Sequence, residues 1–135
     1  MRIDHVHVYV SDQYTAAKWY EEVLGLKILA EHEHWAVDGG PLTISADDGN
    51  TSIALFNSAD LEGNKSTIAF RLDGSEFLEF VDKLEVLGMR FLNGENASRS
   101  AISDHEKAYS VYFADPDGNP IEVTTYDYDV VASGL

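Results

Sequence analysis

The stretch YFADPDGNPIEV, residues 112–123, decides how the chain is read. Asp115-Pro116-Asp117-Gly118-Asn119 is concentrated turn chemistry: proline presets one backbone angle, glycine and asparagine tolerate left-handed backbone, and aspartate bonds the chain just ahead of it. Strand-like runs flank the turn, so the stretch reads as a hairpin. Its second strand places Glu122 between Ile121 and Val123. A carboxylate in an apolar strand needs water, a polar partner or a cation to face, because burying it alone is costly.

The elements before this hairpin come in a repeating order. In IDHVHVYV, residues 3–10, Val6, Val8 and Val10 alternate with His5, His7 and Tyr9, the period of a two-faced strand. A helix is expected from about Asp12 to Leu24, with Ala16, Trp19, Tyr20, Val23 and Leu24 as its apolar stripe and Gly25 as its cap. Three strands are expected next, in LKILAEHEHW (26–35), PLTISA (41–46) and TSIALF (51–56). Then STIAFRL (66–72) reads as a strand and residues 75–87 as a helix, with Phe77, Phe80, Val81, Leu84 and Leu87 inward and Gly88 as cap. Strands MRFL (89–92), YSVYFA (109–114) and PIEVTTY (120–126) close the order. AAKWYEEVLGLKIL and FVDKLEVLGMRFL read as two versions of one helix-to-strand joint. A period of roughly 62 residues implies two βαβββ modules in a single domain, about 1–61 and 62–135.

This is an α+β pattern in which a curved mixed sheet surrounds a cleft. Each first strand turns its aliphatic face to its helix, which leaves the other face for the concave side. That side is expected to carry His5, His7, Tyr9, Ser52, Ala54, Thr67, Ala69, Arg71, Ser110, Tyr112, Glu122 and Thr124.

Composition narrows the function. The formal charge of −15, with nine Lys and Arg, argues against nucleic acid, whose phosphates need a basic face. No cysteine is present, so disulfides, thiolate metal sites and a cysteine nucleophile are excluded. No apolar run is long enough to span a bilayer and the N-terminal residues lack a signal-peptide pattern, so no membrane association and a cytoplasmic location are expected.

DHVHVYVSD and AAKWYEEVLGLKI, taken with SVYFADPDGNPIEV, resemble the vicinal oxygen chelate superfamily, which includes glyoxalase I, extradiol dioxygenases, fosfomycin-resistance thiol transferases and bleomycin-binding proteins. The resemblance covers nearly the whole chain. It implies a divalent metal ion (Fe, Mn, Ni or Zn), with the first-strand histidine at His5 and the last-strand carboxylate at Glu122 as ligands. Two further ligand positions of the family fall on Thr67 and Ala54, which leaves the set incomplete. His7 shares a strand face with His5 and either completes a triad of His5, His7 and Glu122 or hydrogen-bonds a neighbouring strand. Tyr112, ten residues before Glu122, matches an active-site tyrosine of the family and is a candidate proton donor; the bland alternative is cross-strand packing. In SDHEKAYS (103–110), His105 is a candidate acid–base group on a loop, or simply a solvated histidine. The resemblance also implies a small-molecule substrate and a homodimer.

The leading expectation is a metal-dependent enzyme of the dioxygenase/glyoxalase type acting on a small organic molecule. The alternative is a metal-free small-molecule binder of the bleomycin-resistance type, using Tyr9, Trp35, Phe56 and Tyr112 as an aromatic lining. A fosfomycin-type transferase ranks below both, because Arg71 is the one basic residue expected on the concave face. EHEHW (31–35) is read as a charged edge strand, and the TTYDYD tail as surface or dimer rim.

Overall fold

The alternation in HVHVYV carries directly into the backbone. In the computed structural model, which describes residues 1–62 and 66–135, strand β1 is His5–Val10, with Val8 and Val10 buried and His5, His7 and Tyr9 exposed. Helix α1 (Gln13–Leu24) follows. The Asp12 carboxylate caps it by accepting the Thr15 N–H at 2.8 Å, and Gly25 ends it in left-handed backbone at φ 71°. Strands β2 (Lys27–Ile28), β3 (Leu42–Ser45) and β4 (Ser52–Asn57) complete a sheet of order β1-β4-β3-β2. β1 and β4 run parallel, which requires a long crossover between them; α1, β2 and β3 fill it.

The chain divides into two compact units, Met1–Asn64 with Asp115–Asp117, and Lys65–Ala114 with Gly118–Leu135. In the first, Val10, Leu42, Ile44 and Leu55 are fully buried, each contributing on the order of 2 kcal/mol by leaving water. Gln13 is buried among them and fully satisfied. Its Nε2 donates to the Gly40 and Leu55 carbonyls, both at 2.7 Å, and its Oε1 accepts from Asn57 at 3.2 Å. Asp115, the first aspartate of the decisive turn, is buried in this unit as well. One of its oxygens accepts the Asp117 N–H at 2.9 Å and the other accepts the Tyr20 hydroxyl at 2.8 Å. Burial, and then the Asp115 charge, push the Tyr20 phenol well above its ordinary value.

The second unit holds β5 (Ile68–Arg71), α2 (Gly74–Val86), β6 (Ser103–Asp104), β7 (Tyr109–Ala114), β8 (Pro120–Thr125) and α3 (Tyr128–Gly134). Its sheet order, β5-β8-β7-β6, repeats the first with β5 parallel to β8. Asp73 and Glu76 form a reciprocal capping box at the start of α2, and Gly88 follows its end at φ 68°. β7 and β8 make the expected hairpin, pairing Tyr112 with Glu122 and Ala114 with Pro120, and Gly118 takes left-handed backbone in the turn. The repeat extends to register. His7 stands opposite Ala54 in one parallel pair and Ala69 opposite Glu122 in the other.

Three expectations are corrected. LKILAEHEHW is not one strand: Lys27–Ile28 pairs, and Ala30–Asp38 winds into a 3₁₀ helix with no buried residue. Its charge-and-imidazole alternation offers no apolar face for a sheet to bury, whereas the three-residue turn eclipses His32 on Trp35, their rings stacked at 4.4 Å. MRFL is not a strand either. The Asn93-Gly94 turn folds it back, so that Phe91 N–H reaches the Glu95 carbonyl and Ala97 N–H reaches that of Met89; the short strand beside β7 is Ser103–Asp104. The TTYDYD tail leads into α3, whose Val131 is fully buried against the rest of the second unit. The Asp127 carboxylate accepts the Gly74 N–H at 2.9 Å, Arg99 donates to the Gly134 carbonyl at 2.9 Å, and Tyr128 stacks on Tyr109 at 4.6 Å.

Gly74 has no room for a side chain, since a Cβ there would stand 2.8 Å from the Val130 Cβ. Gly74→Ala should destabilise the protein by about 1–3 kcal/mol in urea titrations, whereas the exposed neighbour change Ser75→Ala should stay within about 0.5 kcal/mol. Hydrogen bonds from Arg99 hold the Asp82 carboxyl below its ordinary value, at 2.8 and 2.6 Å. The native state therefore binds that proton less readily than the unfolded chain. The contribution is present above the ordinary carboxylate range, near pH 4, and lost as pH falls through the depressed value. Asp82→Asn should flatten the acid limb of the stability curve, measured by denaturation at stepped pH.

Candidate functional site

β1 gathers the first group of donors because alternate residues on a strand share a face. His5 Nδ1 lies 2.7 Å from Asp4 Oδ2, and His5 Nε2 lies 3.2 Å from His7 Nε2. The two imidazoles stack with centroids 5.2 Å apart and planes 19° apart. Phe56 on β4 packs against His7 at 4.7 Å, and Tyr9 lies 6.0 Å from the same ring. A neutral His5 that donates its Nδ1–H to Asp4 presents Nε2 as a bare lone pair, the form that binds a cation. In register with His7, Ala54 is buried and has no donor to offer.

The second group lies on the β7–β8 hairpin. Ser110 and Tyr112 both donate to Glu122 Oε1, at 2.9 and 3.3 Å, and the Ser110 hydroxyl also contacts Thr124 at 2.9 Å. His105 Nε2 stands 3.0 Å from the Tyr112 hydroxyl. A phenol has one proton, so with Tyr112 donating to Glu122, His105 is the donor to the phenol oxygen and the three groups form a directed series. Burial, then the charge and hydrogen bond of Glu122, raise the Tyr112 phenol above its usual value, with Ser110 working against them. Both contacts to Glu122 use Oε1, so Oε2 is the oxygen a cation would meet. Tyr112 also borders a small recess of about 40 Å³ with Phe91, Asn93, Ala101, Ser103 and Val111. That is far below the roughly 300–1,000 Å³ of most ligand pockets, so by itself it holds no substrate.

The expected residues thus form two local sets, His5 with His7, and His105 with Tyr112 and Glu122. Thr67 is exposed just ahead of β5, and Arg71 lies over the Tyr126 ring at 4.8 Å. His32 and His34 lie on the 3₁₀ helix, each against Trp35. Among the described residues no three His, Asp or Glu side chains are gathered to hold one metal ion. Asp4 and Ser110 were not assigned roles from sequence. Asp4 had a signal, an acid directly before the first histidine of HVH.

The match to a family model extends over residues 2–123, and the family is the Glyoxalase/Bleomycin resistance protein/Dioxygenase superfamily. The chain is 30% identical over 128 residues to metallothiol transferase FosB of Lysinibacillus sphaericus, spanning 91% of this chain and 81% of that protein. It is equally 30% identical over 128 residues to FosB of Staphylococcus epidermidis, spanning 91% and 80%. Among solved structures, the fold is similar to oxidase ChaP-H2, with a TM-score of 0.72 at 18% identity over 93% of each chain. It is also similar to lactoylglutathione lyase from Agrobacterium tumefaciens, with a TM-score of 0.69 at 20% identity over 94% of this chain and 95% of that one. The chain belongs to the Glyoxalase/Bleomycin resistance protein/Dioxygenase superfamily, and its α+β architecture is the fold of that group. Among the described residues no helix is long and apolar enough to cross a membrane.

The Tyr112–Glu122 contact has a spectroscopic consequence. Ultraviolet titration of the wild type minus Tyr112→Phe should reveal a phenol that ionises above the ordinary value near 10. Glu122→Gln removes the negative charge that opposes ionisation, so the same phenol should then titrate at lower pH.

Proposed function

We propose that the chain is a metal-dependent enzyme of the dioxygenase/glyoxalase type, acting on a small organic molecule, with His5 in the first unit and Glu122 in the second each a metal-binding group. The observation that carries this reading is the run of hydrogen-bond contacts linking His105, Tyr112 and Glu122. Membership of a superfamily named for glyoxalases and dioxygenases supports it, as does similarity to proteins named metallothiol transferase. The donor set fits a borderline divalent ion, since neutral imidazole and carboxylate suit Fe, Mn, Ni or Zn. Such an ion, when bound, acts as a Lewis acid that polarises a substrate oxygen.

The remaining work falls to the chain's own groups. Tyr112 keeps its proton at neutral pH and so serves as a donor to substrate. His105, exposed, returns that proton from solvent. Ser110 holds Glu122 Oε1 and leaves Oε2 free for the cation. The homodimer implied by the resemblance is part of this proposal and is read by sedimentation.

A second reading, transfer of a thiol to a small electrophile, is favoured by the 30% identity to the metallothiol transferases. Against it, Arg71 is engaged with the Tyr126 ring rather than presented to an anionic substrate.

Elemental analysis of protein purified without chelator should find close to one equivalent of Fe, Mn, Ni or Zn, reduced in both His5→Ala and Glu122→Ala. Once a substrate is found by following oxygen uptake, isomerisation and thiol consumption in parallel, Tyr112→Phe should lower kcat by about 10²–10⁴-fold with metal content unchanged. A metal-free protein that binds an aromatic ligand without turnover would replace the enzyme reading with that of a binder.

A further inference from the structure

The arrangement at β1 is more specific than one histidine ligand requires. We infer that His5 and His7 act together as a two-nitrogen chelate for a borderline divalent ion, with Asp4 as the positioning residue that fixes the tautomer and direction of His5. This inference rests on the metal-dependent reading and adds to it a ligand, His7, at a position where the second unit has Ala69.

The geometry supports the pairing. Two nitrogens bound tetrahedrally to one zinc at about 2.0–2.1 Å stand about 3.3 Å apart, and the two Nε2 atoms are already 3.2 Å apart. Residues two apart on a strand lie about 6.7 Å from each other along the chain, a span that two imidazoles on one face bridge when both lean inward. The near-parallel stack at 19° brings their Nε2 edges together. Asp4 at 2.7 Å from Nδ1 keeps His5 in the tautomer with Nε2 bare. His7 reaches the same state by moving its proton from Nε2 to Nδ1 while staying neutral, so binding asks for no change of backbone. Phe56, packed on the His7 ring at 4.7 Å, restricts its swing. His5 and His7 are exposed, so an ion has a path to them.

Placement on one strand also bears on the incomplete family set. Thr67 supplies a hydroxyl at one of the family's ligand positions, and a neutral hydroxyl is a poor ligand for a borderline ion. His7 adds a second nitrogen on β1 itself.

The test uses the full chain, stripped of metal, with Cu(II) as the probe. Pulsed electron paramagnetic resonance should count two coordinated imidazoles in the wild type and one in His7→Gln. Calorimetric titration with Zn(II) should show Asp4→Ala binding about 10–100-fold more weakly, with the two imidazoles still counted. One imidazole in the wild type, or a two-imidazole signal that persists in the His5→Gln/His7→Gln double variant, overturns the chelate. If Glu122→Gln abolishes metal retention while His7→Gln leaves it unchanged, the chelate falls and the metal-dependent reading stands. If the wild type takes up neither ion, both fall. The two histidines lie on an exposed strand face, so circular dichroism of the variants should match the wild type.

Discussion

Everything in either unit depends on its first strand pairing in parallel with its last. That pairing cannot form locally. It waits for the chain to pass through a helix and two more strands, and it holds only if the aliphatic face of the first strand meets the helix side. A slip by one residue would turn Val6, Val8 and Val10 outward and bury His5 and His7. The apolar alternation therefore fixes which atoms the sheet presents, and His7 opposite Ala54 and Ala69 opposite Glu122 follow from the same rule applied twice.

Polar groups inside the units obey a second constraint. Among the described residues, every buried side-chain nitrogen or oxygen has a hydrogen-bond partner. Gln13 and Asp115 illustrate how. Each lies at the end of an element, where backbone groups are left over: the Gln13 side chain satisfies two carbonyls, and Asp115 satisfies one N–H together with the Tyr20 hydroxyl. Ser110 and Tyr112 donate to Glu122 Oε1, so its carboxylate is supported by hydroxyls.

Much of the fold was legible because its signals are local. The DPDGN turn, the HVHVYV alternation, Gly25 and most of the helix stripes act within a few residues and formed as expected, although Leu87, expected inward, is exposed just past the end of α2. The failures share a cause. EHEHW alternates in chemistry without alternating in hydrophobicity, so its period of two carries no burial and a three-residue turn prevails. MRFL looks like a strand until the Asn93-Gly94 turn behind it is counted. The tail looks polar, yet Val131 finds a buried place through contacts with residues far away in sequence. The Tyr20–Asp115 hydrogen bond lies outside local reading for the same reason. Of the site, the residue types and faces were readable. Their hydrogen-bond directions were not, because these depend on cross-strand distances that no spacing rule supplies.

The 3₁₀ segment Ala30–Asp38 carries a consequence of its own. With three residues per turn and nothing buried, it makes few demands on residue identity but strong ones on length. Inserting or deleting a single residue rotates everything beyond it by a third of a turn and takes the indole off the imidazole it rests on. The segment therefore admits substitution more readily than insertion or deletion, which would shift the indole against its imidazole and disturb the entry into β3.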